Sequence, residues 1–360
     1  MSDNLAIIFG GPSPEHDISI LTGLQTSRVL SSKNQVLNIY WSQDNKWYLV
    51  DENLESKDFI ENTTILKKEL NVRLDSNPGF YYKKKKLDIS LIINSCHGGP
   101  GEDGTLQSLL ELLEIQYSGP SISTSQLCMD KYAFFTLMSE NKIPVLNTHL
   151  ISDNNKPDFQ GPYILKPRFG GSSIGVELVE NFQTALTITK NSTLYKQGAI
   201  LQPYLQHSDD LLVGVRTYPK INYSDVEKPI RSSNNEMFSY KDKYLENGGL
   251  EGSRRELPAK IDVLLKNQII EILNNLLSIL EIKGICRVDF LSKGNEVYLN
   301  EVNTIPGSYA LYLWENVGFS KFDLLNDMVN ETKLKTNNWT NEGSDGTALK
   351  TAKDIQSKLG

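Results

Sequence analysis

The chain alternates continuous apolar runs, which predict strands, with apolar repeats at the spacing of helices. Residues 5–11 form an apolar strand that ends in two glycines and a proline, and apolar side chains recur at helical spacing over 18–30. A second apolar run, 87–96, leads into a glycine-rich loop and then into a helix with leucines on one face. Strand, glycine turn and helix in this order predict α/β units, which bind ligands at the carboxyl ends of their strands.

The rest of the chain adds further strands, one polar loop and one long helix. Short apolar strands are predicted at 163–167 and 200–205, and the second suits hydrogen bonding to an adenine edge through its main chain. The polar loop at 237–252, which contains three glycines, is typical of a lid over a site. Residues 261–281 predict a long amphipathic helix that packs against a hairpin within 284–307.

That hairpin carries the clearest candidate chemistry in the chain. Two short strands flank a Ser-Lys-Gly-Asn turn, and side chains alternate faces along each strand. Arg287 and Asp289 therefore share one face, as do Glu301 and Asn303, and folding the hairpin can bring the two pairs together. Two carboxylates and an amide oxygen are the hard ligands that suit Mg²⁺ carrying phosphates. The alternative is a surface hairpin whose charged side chains are merely solvated.

Composition narrows the class of protein. A length of 360 residues predicts two or three compact units, and the net charge of −7 argues against nucleic acid and anionic membranes as partners. No apolar run approaches the length that crosses a bilayer, and the N-terminus shows no secretory signal. Cys96, Cys128 and Cys286 fit neither a disulfide framework nor a zinc spacing, so we expect buried thiols in the cytoplasm.

Three polar stretches lie beside predicted strand ends. Glu15 follows the first strand, where it either faces a ligand or complements the dipole of the next helix. The loop 97–104 holds four glycines but matches neither the P-loop nor the dinucleotide spacing. The Gly/Ser hairpin 168–176, with Lys166 at its base, can lay backbone N–H groups over phosphates while the ammonium pairs with their charge. The alternative there is a plain hairpin without a ligand.

Seven segments resemble, in order and spacing, the motifs of the D-alanine–D-alanine ligases, a family of the ATP-grasp superfamily. They are FGGPSPEHDIS, HGGPGEDGTLQSLLE, SGPSISTSQLCMDK, ILKPRFGGSSIGV, YKDKY, CRVDF and NEVNTIPG. The resemblance extends from about residue 5 to about residue 315. It implies a mixed α/β, three-domain ATP-grasp fold whose N-terminal domain is Rossmann-like. The implied divisions are an N-terminal domain at 1–124, a central domain at 125–206, a C-terminal domain at 207–332 with its lid at 237–252, and a polar tail at 333–360.

The resemblance also implies an activity and its cofactors. It implies ATP-dependent joining of two D-alanine molecules through an acyl phosphate, for peptidoglycan precursor synthesis, with two Mg²⁺ ions or alternatively Mn²⁺. It implies a cytoplasmic homodimer whose substrates are ATP and D-alanine. Two alternatives stand beside this reading: a relative that adds D-serine, D-lactate or another D-amino acid, and a nucleotide-binding protein without turnover. The retained set of charged and polar site residues argues against the second alternative.

Residue roles follow from the same motifs. Glu15 would hold the ammonium of the first substrate in a hydrogen-bonded trio with Ser172 and Tyr244. Arg287 and the backbone N–H of Gly307 would stabilise the developing oxyanion. The implied metal ligands are Asp289, Glu301 and Asn303. The implied ATP-binding residues are Lys131, Lys166, Ser173, Gln202, Tyr204, Leu205, Asp210 and Lys243. The implied substrate contacts are His97, Tyr312 and Leu313.

The chain departs from the family pattern at three places. Gln202 stands where the family usually has glutamate, so its hydrogen bond to adenine would be weaker. Asp209 or Asp210 stands near the usual ribose-binding glutamate. Tyr312 replaces a small serine, which changes the volume and polarity of the second-substrate pocket and leaves the second substrate open. Tyr244 in the lid motif favours the type that adds D-alanine over the type that forms depsipeptides.

Overall fold

The computed structural model describes residues 4–61, 66–153, 155–230, 254–334, 343–352 and 355. The predicted lid at 237–252, with Lys243 and Tyr244, lies outside the described residues. Of the polar tail predicted at 333–360, the described part contains one short helix, Thr347–Thr351. Within the described ranges no helix is long and apolar enough to cross a membrane.

The first layer is an eight-stranded sheet built from the N-terminal third of the chain. Its strands are β1 Leu5–Gly10, β2 Val36–Trp41, β3 Trp47–Val50, β4 Glu69–Arg73, β5 Gly79–Tyr82, β6 Lys85–Lys86, β7 Leu91–Asn94 and β8 Gln116–Tyr117. They lie in the order β6-β5-β4-β3-β2-β1-β7-β8, and β1 pairs in parallel with both β2 and β7. The helices are α1 His16–Ser31, α2 Asp58–Glu61, α3 Gly99–Glu102 and α4 Thr105–Leu112. The ends of β1 and β7 therefore deliver the two predicted glycine-rich turns to one edge.

A four-stranded antiparallel sheet follows. Its strands are β9 His149–Leu150, β10 Tyr163–Pro167, β11 Glu177–Val179 and β12 Ala199–Pro203, in the order β11-β10-β12-β9. Its helices are α5 Ile122–Met129, α6 Lys131–Glu140 and α7 Phe182–Asn191, with a 3-10 turn at Thr193–Tyr195. The predicted strands at 163–167 and 200–205 correspond to β10 and β12, which are paired neighbours.

The third sheet has five antiparallel strands. They are β13 Asp209–Arg216, β14 Asn222–Pro229, β15 Arg255–Glu256, β16 Ile285–Lys293 and β17 Glu296–Asn303, in the order β15-β14-β13-β16-β17. The remaining elements are helix α8 Val263–Ile279, a 3-10 segment Gly307–Val317, helix α9 Lys321–Thr332 and helix α10 Thr347–Thr351. The predicted amphipathic helix is α8, and its apolar face packs in one core with the β16–β17 hairpin.

Two structural features connect the C-terminal part of the chain to the first sheet. The 3-10 segment and α9 pack on the same core as α1 and β1, with Trp314 fully buried there. Near the start of the 3-10 segment, Ser308, Tyr309 and Ala310 have φ of 50, 50 and 49°. Three successive left-handed residues without glycine are costly, so tertiary contacts must hold this turn in place. The observed sheets and helices confirm the predicted mixed α/β class.

Candidate active site

The β16–β17 hairpin forms as predicted and brings its four polar residues together. Across the hairpin Arg287 lies opposite Asn303, and Asp289 lies opposite Glu301. Arg287 donates hydrogen bonds to both carboxylate oxygens of Asp289, with Nε–Oδ1 and Nη2–Oδ2 distances of 2.7 and 2.8 Å. Both side chains are largely shielded from water, which strengthens a charge-assisted pair.

The donor set on this hairpin fits a hard divalent cation. Asp289 and Glu301 face each other across the strands, and Asn303 adds an amide oxygen two pairs away. Oxygen donors of this kind suit Mg²⁺ or Mn²⁺. Among the described residues no three His, Cys, Asp or Glu side chains form a ready-made metal cluster. The hairpin could therefore hold a metal that takes its remaining ligands from water and substrate phosphates.

Two lysines approach the hairpin from the central sheet and its helices. Lys166, on β10, donates from Nζ to Oδ1 of Asn300 at 3.1 Å. Lys131, the first residue of α6, donates to the backbone carbonyl of Gly170 in the Gly/Ser hairpin. Desolvation lowers the pKa of Lys131, and the charges of Glu301 and Glu15 oppose that shift. Both ammonium groups therefore lie where they could pair with phosphate oxygens.

An ion pair behind these lysines was not predicted to have a role. Asp130 caps α6 by accepting hydrogen bonds from the backbone N–H groups of Tyr132 and Ala133. Its two oxygens also accept from Arg168 at 2.8 and 2.5 Å. Burial alone would raise the pKa of Asp130, but Arg168 and the helix N–H groups together lower it. The aspartate directly before a helix was the available sequence signal, and the pair ties the start of α6 to the Gly/Ser hairpin.

Glu15 and Ser172 meet although they come from different sheets. The Ser172 hydroxyl donates to the Glu15 carboxylate, which unites two members of the predicted trio. Glycine leaves room for this carboxylate, because a Cβ on Gly98 would lie 2.3 Å from Glu15 Oε2 and would displace it. A Cβ on Gly171 would lie 3.1 Å from the same oxygen. The third member, Tyr244, lies outside the described residues.

His97 uses both ring nitrogens within the protein. Nδ1 lies 2.6 Å from the carbonyl oxygen of Ile305, and Nε2 lies 2.7 Å from Oγ1 of Thr22. Because a carbonyl only accepts, Nδ1 carries the proton and Nε2 accepts from the Thr22 hydroxyl. Burial lowers the pKa of His97 to about 4, so the ring is neutral near pH 7. His97 thus connects the glycine-rich loop 97–104 to the turn before Gly307.

Glu102 is a half-buried group to which the sequence assigned no role. Its carboxylate accepts from the N–H groups of Gly98 and Ile305 at 2.9 and 3.0 Å and from the Thr304 hydroxyl at 2.8 Å. Burial, with the nearby charge of Glu15, raises its pKa to about 7. The glycine-rich loop around it was the available signal, but two of its three partners, Thr304 and Ile305, lie 202 and 203 residues later in the chain.

Two adjoining cavities contain nearly all of the described candidate residues. The larger contains Lys131, Lys166, Ser173, Gln202, Tyr204, Leu205, Asp210, Arg287, Asp289, Glu301 and Tyr312 in its lining. The smaller contains Glu15, His97, Glu102, Ser172, Arg287, Glu301, Asn303 and Gly307 in its lining. Arg287 and Glu301 belong to both linings. A phosphate chain in the larger cavity could therefore reach a small acid in the smaller one.

Asp209 and Asp210, the two candidates for binding the ribose, lie in different surroundings. Asp210 lines the larger cavity. Asp209 instead forms an ion pair with Lys228, 2.7 Å from oxygen to nitrogen, on an exposed part of the sheet. Adjacent strand residues point to opposite faces, so one of the two had to point away.

The segment after Gly307 differs from the prediction that both Tyr312 and Leu313 contact the substrate. Tyr312 lines the larger cavity, where its hydroxyl donates to Oε2 of Glu227 at 2.6 Å. The Arg255 guanidinium carbon lies 4.5 Å from the centre of the Tyr312 ring. Leu313 is fully buried in the core, so the predicted substrate contact does not fit this structure.

Comparisons with known proteins identify relatives over almost the whole chain. The model of the D-ala D-ala ligase N-terminus matches residues 4–120, and that of the D-ala D-ala ligase C-terminus matches residues 124–330. A D-alanine–D-alanine ligase of Thermosipho melanesiensis is 33% identical over 344 residues, which cover 91% of this chain and 92% of the relative. A D-alanine–D-alanine ligase of Helicobacter pylori strain 26695 is 30% identical, with 92% and 96% covered.

Solved structures agree with the sequence relatives. The crystal structure of the Helicobacter pylori D-alanine–D-alanine ligase superposes with a TM-score of 0.73 at 29% identity, over 91% of this chain and 99% of that one. The VanG D-Ala:D-Ser ligase of Enterococcus faecalis gives 0.78 at 24% identity, over 92% and 100%, which supports the fold alone. These neighbours confirm the predicted ATP-grasp fold.

Proposed function

Because the chain belongs to the D-alanine–D-alanine ligase family, whose members are ATP-dependent ligases, we propose that it joins two D-alanine molecules into D-alanyl-D-alanine. The observation that carries the proposal is the junction of the two cavities at Arg287 and Glu301. One side has lysines suited to phosphates, and the other has Glu15 suited to an ammonium group. A reaction between a nucleotide and an amino acid needs both sides within reach.

The first step activates one D-alanine. Its ammonium group would pair with Glu15, which the Ser172 hydroxyl holds in place. A carboxylate oxygen attacks the γ-phosphorus of ATP, the bond to the β-phosphate oxygen breaks, and ADP leaves an acyl phosphate behind. Lys131 and Lys166 would bind the phosphate oxygens and offset their charge during the transfer.

The second step forms the peptide bond. The neutral amine of the second D-alanine attacks the acyl carbon, and a tetrahedral oxyanion forms. Arg287 and the N–H of Gly307 would stabilise this charge, since both line the smaller cavity. The carbon–oxygen bond to phosphate then breaks, inorganic phosphate leaves, and the amine loses its extra proton to water. We assign this product to peptidoglycan precursor synthesis.

The residues of the hairpin fit the metal that such a reaction uses. Asp289, Glu301 and Asn303 would hold two Mg²⁺ ions, or Mn²⁺ in their place, together with phosphate oxygens. When bound, Mg²⁺ supplies charge neutralisation on the phosphates. Arg287 donates hydrogen bonds to both oxygens of Asp289 and so orients this carboxylate. We further propose a homodimer in the cytoplasm, where ATP is available, on the basis of the family resemblance.

The direct test measures ADP release with Mg²⁺-ATP and identifies the products by mass. D-Alanyl-D-alanine from D-alanine alone is the expected result. A second candidate function, addition of D-serine, D-lactate or another D-amino acid, is favoured by Tyr312, a bulky residue at a position where the family has serine. Turnover that requires one of these acceptors beside D-alanine would establish the second candidate instead. ATP binding without turnover under every condition would overturn both.

A further inference from the structure

Gln202 lies in the wall of the larger cavity with one end of its amide unused. The residue is 1% exposed, and its Nε2 donates to Oγ1 of Thr148 at 2.9 Å. Its Oε1 is buried and has no hydrogen-bond partner among the residues that the structure describes. A buried carbonyl oxygen without a donor costs free energy, so a ligand that brings a donor to it gains affinity.

Thr148 determines which end of the amide stays available. Its hydroxyl donates to the backbone carbonyl of Leu146 at 3.0 Å. A hydroxyl has one proton, so toward Gln202 the Thr148 oxygen is left to accept. The NH₂ group of Gln202 must therefore point at Thr148, and Oε1 must point away from it. A glutamine side chain, which could otherwise rotate and present either a donor or an acceptor, is held in one orientation.

The surroundings suit a purine ring. Leu146, Ile164 and Leu212 line the same cavity, and Ile164 is the cross-strand neighbour of Gln202 between β10 and β12. Pro203, the last residue of β12, and Tyr204 and Leu205 after it also line this cavity. The nearby lysines, Lys131 and Lys166, mark where a phosphate chain would lie. Apolar walls with a few oriented polar groups are typical of a pocket for a small ligand such as a base.

We propose that Thr148 is a positioning residue that makes the nucleotide pocket selective for a 6-amino purine over a 6-oxo purine. The chain of hydrogen bonds from Leu146 through Thr148 to Gln202 keeps an acceptor where the exocyclic group of the base lies. An adenine amino group donates to it, whereas the carbonyl oxygen of hypoxanthine or guanine meets a second acceptor. An ionised glutamate at this position could only accept hydrogen bonds, so it would not need a neighbouring residue to orient it. The proposal rests on the nucleotide-binding part of the proposed function.

The experiment compares Mg²⁺-ATP with Mg²⁺-inosine triphosphate, whose base has a carbonyl oxygen in place of the 6-amino group and therefore also carries a hydrogen on N1. The N1 difference is common to every variant, so the role of Thr148 is measured by how the ratio of the two affinities changes between variants. Binding to the full chain is measured by calorimetry without any amino acid, so the result does not depend on ligase turnover. For the unchanged protein we expect ATP to bind about 30-fold more tightly, because an unsatisfied buried acceptor is costly. For Thr148→Val, which preserves shape but cannot accept, we expect this ratio to fall about tenfold, chiefly through better binding of inosine triphosphate.

Three further variants control the interpretation. Thr148→Ser keeps the hydroxyl and should keep the ratio. Thr187→Val removes a similar hydroxyl, which donates to the Gln183 carbonyl on an exposed helix of the same part of the chain, and should also keep it. In a Gln202→Glu background the Thr148→Val change should leave the ratio unaltered, since a carboxylate accepts in either orientation.

The outcomes separate the inference from the proposed function. An unchanged ratio in Thr148→Val, or an equal loss of both nucleotides, would overturn the role of Thr148 while leaving ATP binding intact. Loss of the ratio in Thr148→Ser would also overturn it. If the unchanged protein bound neither nucleotide, the inference and the nucleotide part of the proposed function would both fall.

Discussion

Arg287 holds both oxygens of Asp289, two residues away on the same strand, at 2.7 and 2.8 Å. The pair lies where the two cavities meet, so one guanidinium group both orients a proposed metal ligand and faces the reacting atoms. The proposed oxyanion role of Arg287 is therefore tested by replacing it and measuring turnover and nucleotide binding separately.

For Arg287→Ala we expect turnover to fall about 10²-fold or more with ATP affinity nearly kept, because the oxyanion loses its cation. Steady-state kinetics and nucleotide binding measured on the same preparations test this. Arg287→Lys is the control, since it keeps a charge but cannot hold Asp289 through two parallel bonds. If ATP affinity collapsed together with turnover, the oxyanion role would be wrong.

Ser172 and Ser173 provide a matched pair of neighbouring hydroxyls. Ser172 lines the smaller cavity and donates to Glu15, whereas Ser173 lines the larger one. We expect Ser172→Ala to raise the KM for D-alanine about tenfold with little change in ATP affinity, because Glu15 loses its hydrogen-bond donor. Ser173→Ala should lower ATP affinity with little change in the KM for D-alanine. Equal effects of both variants on ATP affinity would contradict this division.

Glu102 predicts a pH dependence of stability. Its pKa is about 7 in the folded protein against an ordinary 4.5, so the folded state retains a proton that the unfolded chain releases. The contribution of Glu102 to the free energy of unfolding is therefore fully present below about pH 4.5 and is lost as the pH rises through about 7. The full change is on the order of 3 kcal/mol.

Urea unfolding of the unchanged protein and of Glu102→Gln between pH 5 and pH 8 measures the contribution of Glu102 to the free energy of unfolding. His97 acts in the opposite sense, since its pKa of about 4 makes stability fall on acidification, so the difference between the two proteins is the informative quantity. As the pH rises, the free energy of unfolding of Glu102→Gln should increase relative to that of the unchanged protein. A difference independent of pH would show that Glu102 is ionised across the whole range.

Asp130 combines a helix cap with an ion pair, and two substitutions separate these roles. Asp130→Asn can still cap α6 but loses the charge that pairs with Arg168. Asp130→Ala loses both, and we expect it to lower the free energy of unfolding by about 3 kcal/mol, against about half of that for asparagine. Thermal unfolding tests the order. Equal losses in the two variants would mean that the cap contributes nothing.

The predictable part of this protein is what local periodicity and motif order specify. Alternation along 285–303 placed Arg287 and Asp289 on one face, and a turn sequence between two strands was enough to fold them against Glu301 and Asn303. The strand, glycine turn and helix units were also readable, because the relevant contacts are near in sequence. The family resemblance supplied candidate roles, which the structure leaves as proposals.

Contacts between distant parts of the chain were decided only by tertiary structure. Glu15 meets Ser172 across 157 positions, and Glu102 meets Thr304 across 202, and no periodic pattern carries information over such separations. Tyr312 lies in the lining of the larger cavity while Leu313 is buried in the core, after a left-handed turn at 308–310 that no periodic pattern predicts. The orientation of the Gln202 amide follows from Thr148, 54 positions earlier, because a single hydroxyl proton is already given to Leu146. Sequence specified which groups are available, and packing specified which of them meet.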